Sequence, residues 1–138
     1  MSSEKIVTAA IIRKSGSVLL ARRSVWESLA GFWEFPGGKV EDGETPEKCL
    51  ARELEEELGI QARIGPKCTE SLHQYDHGNF RIVAHVAEWV AGDLRPRVHD
   101  RVEWVKISDL GEYKLLPADG PIAAMIQNLE NLAQDELL

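Results

Sequence analysis

The chain has 138 residues, of which 43% are hydrophobic and 28% are charged, and its formal net charge is −7. These values are typical of a folded globular protein, and we expect one domain spanning residues 1–138 rather than a disordered chain. The acidic balance argues against stable binding to nucleic acid or to an anionic membrane, because both require a basic surface.

Two further features bear on where the protein works. No apolar run approaches the roughly 18 residues of a membrane span, and no signal peptide precedes the first strand-like segment. Cys49 and Cys68 form no C-x-x-C pattern, so we expect two reduced thiols rather than a disulfide. The sequence therefore predicts a cytoplasmic protein and leaves monomer and homodimer open.

The first third of the chain predicts a hairpin followed by a glycine-rich turn. Apolar runs at 6–12 and 17–21 are separated by Arg13-Lys14-Ser15-Gly16, which favours two adjacent strands. Residues 23–33 have loop character. After them, Pro36-Gly37-Gly38 predicts a tight turn whose backbone groups are open to a ligand.

A helix is expected after this turn. Thr45 suits the N-cap and Pro46 the first helical position, while Gly59 stands where a C-terminal cap is expected. An apolar stripe recurs every four residues between them: Leu50, Leu54 and Leu58. The helix should therefore pack one side against a core.

The remaining segments predict three strands and a second helix. Residues 60–72, 80–90 and 102–107 have strand character, and Pro121 opens an amphipathic helix. The apolar face of that helix is predicted to contain Ile122, Met125, Ile126, Leu129 and Leu132. Strands mixed with two such helices imply an α/β or α+β sandwich.

The first helix carries an unusual group of carboxylates. Glu53, Glu56 and Glu57 fall at i, i+3 and i+4, which places them on one face, where like charges repel. Taken alone, such a run is usually a solvated helix face, as we expect for Glu55. An all-oxygen cluster with several carboxylates also suits a hard divalent ion such as Mg²⁺ or Mn²⁺.

These glutamates belong to a longer pattern. Its defined residues are Gly38, Glu44, Arg52, Glu53, Leu54, Glu56, Glu57, Gly59 and Ile60. The pattern resembles the Nudix box, G-x5-E-x7-R-E-U-x-E-E-x-G-U with U aliphatic, at every defined position. A match of this length by chance has a frequency of roughly 10⁻⁹ to 10⁻¹⁰ per start position.

The resemblance extends beyond the box to the MutT-type branch of the family. The stretch from Gly31 to Glu41 is similar to that branch, as are Ala21-Arg22-Arg23 and Pro117-Ala118-Asp119, whereas the likeness is loose between residues 61 and 101. The resemblance implies the Nudix fold, an α/β/α sandwich around a mixed β-sheet. In that fold the box forms a loop–helix–loop.

The resemblance also implies an activity. Enzymes of the MutT branch hydrolyse nucleoside triphosphates to the monophosphate and pyrophosphate with Mg²⁺, in nucleotide-pool sanitation, so 8-oxo-dGTP and CTP or modified dCTP are the expected substrates. Two alternatives are removal of pyrophosphate from RNA 5′ ends and a non-catalytic nucleotide-binding module. The intact glutamates argue against a pure binder, since it would not need a repulsive cluster.

The resemblance assigns roles to residues of the box. It implies a metal-ligand set consisting of Glu56, Glu57 and the carbonyl of Gly37. Glu53 would be a further ligand or the base that takes a proton from the attacking water. Arg52 and Glu44 would form a supporting ion pair that fixes the box.

One departure from the branch concerns a late loop. Many MutT-type enzymes supply a further glutamate to the metals six residues ahead of a tryptophan, and counting back from Trp104 this position is Val98. His99, Asp100 or Glu103 could substitute through a shifted loop. Asp100 is the best candidate by its chemistry, and we expect it to be a metal ligand.

By resemblance, Arg23, Phe35 and Asp119 lie near the base of the substrate, and Gly38 and Lys39 also belong to the substrate site. An arginine such as Arg23 is more often a surface residue, although the doubled Arg22-Arg23 matches the family, and Phe35 could equally be a core aromatic. An ionised Asp119 accepts hydrogen bonds only, which suits the amino group of cytosine and also the N–H groups of an oxidised guanine. It could also cap the second helix, so the sequence leaves the base open.

Overall fold

The structure is a computed structural model that describes residues 4–75 and 78–136. Its strands and helices follow in the order β1 Glu4–Lys14, β2 Ser17–Arg23, β3 Trp33–Glu34, α1 Pro46–Leu58, β4 Gln61–Tyr75, β5 Gly78–Ala91, β6 His99–Lys106 and α2 Gly120–Glu136. Two short 3₁₀ helices, Ile107–Glu112 and Pro117–Asp119, lie between β6 and α2. None of the helices in these described ranges combines the length and apolar character needed to cross a membrane.

The strands form one mixed sheet in the order β3-β2-β1-β5-β4, with β6 also paired to β2. β1 and β5 run parallel, from Glu4 opposite Asn79 to Ile12 opposite Ala87. The other pairs are antiparallel, and the predicted hairpin is confirmed by Lys14 lying opposite Ser17 in β1 and β2.

The two faces of the sheet carry separate cores because side chains alternate along a strand. Ala9 and Ile11 of β1 belong to a core with residues of α2, whereas Ala10 and Ile12 belong to a core with the leucines of α1. The two helices therefore cover opposite faces. The predicted α/β/α sandwich is confirmed.

Helix α1 has the predicted boundaries and caps. The hydroxyl of Thr45 accepts from the amide of Lys48 at 3.2 Å, and Pro46 is the first helical residue. At the other end, Gly59 has a φ of 74°, and its N–H donates to Glu55, as in a left-handed C-cap. The predicted leucine stripe is fully buried.

Helix α2 differs from the prediction in its start and in its buried face. It begins at Gly120, and Ile122 and Ile126 are buried together with Ala123. Met125 and Leu129, predicted to share this face, are 42% and 52% exposed. Successive helical residues are about 100° apart around the helix axis. The buried residues 122, 123 and 126 therefore occupy one arc of the helix surface, and residue 125 lies outside this arc while residue 129 lies at its edge. Leu132 lies outside the residues whose side chains are described.

The strands extend beyond the apolar runs that predicted them. β4 and β5 continue through polar residues, since His73 pairs with Phe80 and Gln74 with Asn79. β6 begins at His99 instead of residue 102, and Arg23 belongs to β2 rather than to the predicted loop. Backbone pairing across the sheet holds these polar ends, so the apolar pattern alone underestimates the length of the strands.

Candidate active site

The glycine turn is fastened to β1 by backbone and side-chain hydrogen bonds. The amide of Thr8 donates to the Gly38 carbonyl at 2.8 Å, and the Gly38 amide donates to the Thr8 hydroxyl at 3.2 Å. Next to this pair, the Ala10 amide donates to the Pro36 carbonyl at 2.7 Å. A Cβ on Gly37 would lie only 2.0 Å from the carbonyl oxygen of Thr8, so a side chain at this position would displace the turn.

The second glycine of the turn lies against a carboxylate of α1. A Cβ on Gly38 would be 2.4 Å from the carboxyl carbon of Glu53 and 2.6–2.7 Å from its two oxygens. Glycine is therefore the residue that lets the Glu53 carboxylate approach the backbone of the turn. This contact joins the loop and the helix of the box.

Arg52 holds the box together through three carboxylates. Its guanidinium donates to Glu44 at 2.7 and 3.0 Å, to Glu53 at 2.9 Å and to Glu56 at 3.2 Å. The hydrogen bond from Arg52 is the largest cause that lowers the pKa of Glu44 from 4.5 to about 2, followed by a bond from the Glu41 amide. The ion pair expected between Arg52 and Glu44 is thus present.

The three predicted ligands of α1 do not share one environment. Burial raises the pKa of Glu57 to about 8, and the charge of Glu53 and a hydrogen bond with it add to the increase. Glu56 is 60% exposed in its side chain and faces Arg52 instead. Glu53 and Glu57 therefore form an inward pair, and Glu56 lies outside it.

A cleft of about 310 Å³ opens between the glycine turn, α1 and β6. Its polar lining comes from Arg23, Glu27, Glu34, Gly37, Gly38, Lys39, Glu57 and His99. A smaller cavity of about 80 Å³ adjoins it, and the two share Val7, Glu34 and Gly37. Asp119 and Phe35 line this smaller cavity. We call the cleft and the adjoining cavity together the groove; Glu57 of the box lines its cleft end and Asp119 its cavity end.

Arg23 connects the cleft to the loop that precedes β3. Its Nη1 lies 3.0 Å from Oε2 of Glu34, and its Nε donates to the Ser28 carbonyl at 2.6 Å. The side chain of Arg23 is 21% exposed and that of Glu34 is 17% exposed. Arg23 is therefore a wall of the cleft and not a free surface arginine.

Asp119 is buried at the narrow end of the groove. One carboxylate oxygen accepts from the Phe35 amide at 3.1 Å, across 84 residues of sequence. Burial raises the pKa of Asp119 to about 7, and the negative charge of Glu34 adds to this effect. In its ionised form the carboxyl group only accepts hydrogen bonds, and in its protonated form it also donates one.

Phe35 and Lys39 occupy different parts of the same region. Phe35 is 3% exposed and packs in the core beneath α2, with an edge on the small cavity. Its environment is that of a core aromatic, one of the two interpretations the sequence left open. Lys39 is exposed and lines the main cleft.

The segment after Val98 places His99, rather than Asp100, in the cleft. Asp100 is not among the residues that line the cleft, and it pairs with Arg22 at 2.7 Å on the surface. His99 is 3% exposed in its side chain, and its Nε2 lies 3.2 Å from Glu34. The sequence pattern assigned no role to Glu34, although it lies inside the stretch that resembles the MutT branch.

The fit of a divalent cation can be judged from the donors around Glu53. The Glu53 carboxylate, the buried Glu57 carboxyl and the backbone carbonyl of Gly37, which lines the cleft with Glu57, are all oxygen donors, as hard cations require. A cation would offset the repulsion that raises the pKa of Glu57. In residues 4–75 and 78–136, no three acidic, histidine or cysteine side chains are already grouped as metal ligands. The donors therefore suit Mg²⁺ in kind, and Glu56 would have to turn from Arg52 to join them.

Comparisons with known proteins agree with this geometry. A family model described as NUDIX domain matches residues 3–129. The chain is 40% identical over 120 residues to the CTP pyrophosphohydrolase of Escherichia coli strain K12, covering 84% of this chain and 86% of that protein. It is 36% identical over 135 residues to the putative 8-oxo-dGTP diphosphatase 2 of Mycobacterium tuberculosis strain H37Rv, covering 95% and 94%.

A solved structure shows the same architecture. The solution structure of the E. coli ORF135 protein superposes with a TM-score of 0.86 at 34% identity, covering 94% of this chain and 92% of that one. The fold, the complete box and these relatives lead to one conclusion: the chain belongs to the Nudix family of hydrolases.

Proposed function

We propose that the chain hydrolyses nucleoside triphosphates to the monophosphate and pyrophosphate in a reaction that depends on Mg²⁺, with Mn²⁺ as a substitute. The observation that carries this proposal is the inward pair of Glu53 and Glu57 against the glycine turn, at one end of a groove that leads to Asp119. Such a groove suits a substrate with a charged chain at one end and a flat base at the other.

The phosphate end of the groove combines acidic and basic groups. In this proposal Glu57, Glu56 and the Gly37 carbonyl hold the metal, and Lys39 contacts a phosphate at the rim. When bound, Mg²⁺ would neutralise the phosphate oxygens and polarise the phosphorus for attack. Glu53, whose carboxylate is held by Arg52 and lies against Gly38, would be a further ligand or the base that takes the proton of the attacking water.

Arg52 and Glu44 act through Glu53 in this proposal. Their ion pair spans the loop and the helix of the box, so it keeps the carboxylate at the turn as substrate enters and product leaves. Asp100 is not included among the ligands, since its side chain is paired with Arg22 outside the cleft.

For the base, we propose cytosine nucleotides, CTP or modified dCTP, with 8-oxo-dGTP as the second candidate. Ionised Asp119 and Glu34 are acceptors at the inner end of the groove, and the amino group of cytosine is a donor. The relative from E. coli K12 that is named a CTP pyrophosphohydrolase supports this choice. The M. tuberculosis relative supports 8-oxo-dGTP instead.

A substrate panel tests this function. The purified protein would be incubated with Mg²⁺ and CTP, 5-methyl-dCTP, dCTP, UTP, ATP, dGTP, 8-oxo-dGTP or a 5′-triphosphorylated RNA oligonucleotide. We expect the monophosphate and pyrophosphate, not the diphosphate and phosphate, with the highest kcat/KM for a cytosine nucleotide. Absence of pyrophosphate release from every substrate would refute the proposal, and activity on the oligonucleotide alone would favour the RNA alternative.

Substitutions in α1 separate catalysis from mere binding. Glu53→Gln, Glu56→Gln and Glu57→Gln should each lower kcat by orders of magnitude. Of the three, Glu57→Gln relieves repulsion from Glu53 without removing a hydrogen bond from Arg52, so it should not lower the stability of the metal-free protein. Glu55→Gln is the matched control because Glu55 is exposed on the same helix and belongs to no defined box position. Severe loss of metal-free stability in Glu57→Gln would indicate a structural role.

A further inference from the structure

The register of β6 against β2 changes at the cleft. Arg22 lies opposite Arg101, but the next residue of β2, Arg23, lies opposite His99, so Asp100 is an extra residue in β6. Such a β-bulge changes the direction of side chains at the end of a ladder. Here Asp100 points to the surface and His99 enters the wall of the cleft.

In the part of the chain that the structure describes, the His99 imidazole makes one side-chain hydrogen bond, and its other nitrogen has no partner. Its Nε2 lies 3.2 Å from Oε2 of Glu34, and that oxygen also accepts from Arg23, so the shared hydrogen belongs to Nε2. Its Nδ1 is buried and has no hydrogen-bond partner within the described residues. A buried polar atom without a hydrogen-bond partner costs free energy, and an apolar side chain in the same space would avoid this cost. What the imidazole contributes is therefore the bond to Glu34.

Glu34 is therefore held from two sides. Arg23 binds it from the end of β2 and His99 from β6, while its backbone pairs with Ala21 in the sheet. Glu34 lines both the main cleft and the cavity of Asp119. Two donors bind Oε2, whereas among residues 4–75 and 78–136 Oε1 has one long contact, 3.4 Å to Arg23, so this oxygen has capacity to accept a further hydrogen bond.

We propose that Glu34 accepts a hydrogen bond from the exocyclic amino group of the nucleobase, and that His99 is the positioning residue that orients Glu34 for this contact. This inference rests on the proposed function, which supplies the nucleotide. It defines the substrate class as nucleotides whose base presents an amino group at the inner end of the groove. Uracil has a carbonyl oxygen where cytosine has its amino group. Two acceptors would then face each other with no hydrogen atom between them.

The test compares cytosine with uracil in variants of His99. In His99→Leu the donor to Glu34 is lost, and we expect the ratio of kcat/KM for CTP to that for UTP to fall roughly tenfold, mainly through KM for CTP. His99→Gln keeps an N–H near the position of Nε2 and has no counterpart of Nδ1. It should restore most of the ratio, whereas His99→Asn, whose amide is too short to reach Glu34, should behave like the leucine variant.

Controls keep a folding defect apart from a change in recognition. Arg101→Gln is the matched variant in β6, because Arg101 is 58% exposed and pairs only with Glu103 among its described ion pairs. Urea unfolding of each variant reports any loss of stability. Binding of CMP and UMP in EDTA, measured by calorimetry, reports base preference without turnover, and the CMP preference should follow the same order as the CTP/UTP ratio.

The outcomes separate this inference from the proposed function. If the wild type hydrolyses no triphosphate, the proposed function fails, while the CMP and UMP titrations still decide the role of His99. If the wild type hydrolyses CTP but does not prefer it to UTP, the inference is refuted. The inference is also refuted if His99→Leu keeps the preference, or if His99→Gln is as impaired as His99→Leu.

Discussion

Nε of Arg52 lies 2.7 Å from Oε2 of Glu44, a residue eight positions earlier that precedes the helix on which Arg52 stands. This pair joins the loop of the box to its helix, and the same guanidinium reaches Glu53 at 2.9 Å. The position of Glu53 at the glycine turn therefore depends on a charge in the preceding loop. It depends equally on the space that Gly38 leaves for the carboxylate.

The first prediction concerns Glu44→Gln and acid. Because the pKa of Glu44 is lowered from 4.5 to about 2, its contribution to stability is present above pH 4.5 and is lost as the pH falls towards 2. We expect Glu44→Gln to be less stable than the wild type at pH 7, and the difference to shrink below pH 4.5. The midpoints of urea unfolding between pH 7 and pH 3 measure this difference, with Glu55→Gln as control. A difference between wild type and Glu44→Gln that does not change with pH would contradict the lowered pKa of Glu44.

The second prediction concerns Gly38→Ala. Its Cβ would overlap the Glu53 carboxylate, so we expect this carboxylate to be displaced and kcat to fall at least about a hundredfold, as for loss of a positioned catalytic group. Gly111→Ala is the control, because a Cβ there would have no atom of the described residues within 4 Å. Steady-state kinetics at saturating Mg²⁺ measures the effect, and equal kcat values in the two variants would argue against a role for the contact.

The box could be predicted from the sequence because its determinants are local. Thr45, the leucine stripe and Gly59 act within a few residues of one another, so the limits of α1 agreed with expectation. The α/β/α arrangement followed from the order of the elements and from the family resemblance. These features need no knowledge of the pairing between distant strands.

The features in which the structure differs from the prediction depend on contacts between residues that are distant in the sequence. The buried arc of α2 is set by the sheet beneath it, so Met125 and Leu129 lie exposed although their spacing suits a helix face. The place of His99 in the cleft depends on a bulge against β2, which no spacing rule within β6 indicates. In the same way, Glu56 and Glu57 are neighbours in the sequence, but only the fold shows that Glu57 is the buried one.

The third prediction concerns Mg²⁺ and the stability of the folded state. A cation that binds the folded protein and not the unfolded chain stabilises it by about 2.7 kcal/mol at a hundred times its Kd. We expect Mg²⁺ to raise the Tm of the wild type over EDTA, and to raise that of Glu57→Gln much less. Differential scanning calorimetry measures both. Equal increases in the two proteins would show that Glu57 does not hold the ion.

The last prediction concerns Asp119→Asn and the pH dependence of stability in EDTA. The pKa of Asp119 is raised from 3.8 to about 7, so between these values the folded state holds more protons than the unfolded chain. Stability from this group therefore falls as the pH rises through that window, by at most about 1.4 kcal/mol per pH unit, and is level above it. In the Asp119→Asn variant the side-chain oxygen can still accept from the Phe35 amide, but the side chain does not titrate.

We therefore expect the free energy of unfolding of Asp119→Asn, relative to the wild type, to increase between pH 4 and pH 7 and to stay constant from pH 7.5 to 9. Urea unfolding at half-unit intervals of pH measures this difference directly, and other titrating groups cancel because both proteins share them. A difference that is independent of pH would mean that Asp119 is ionised throughout. The carboxyl group would then act on the base only as an acceptor, which would strengthen the preference for the amino group of cytosine.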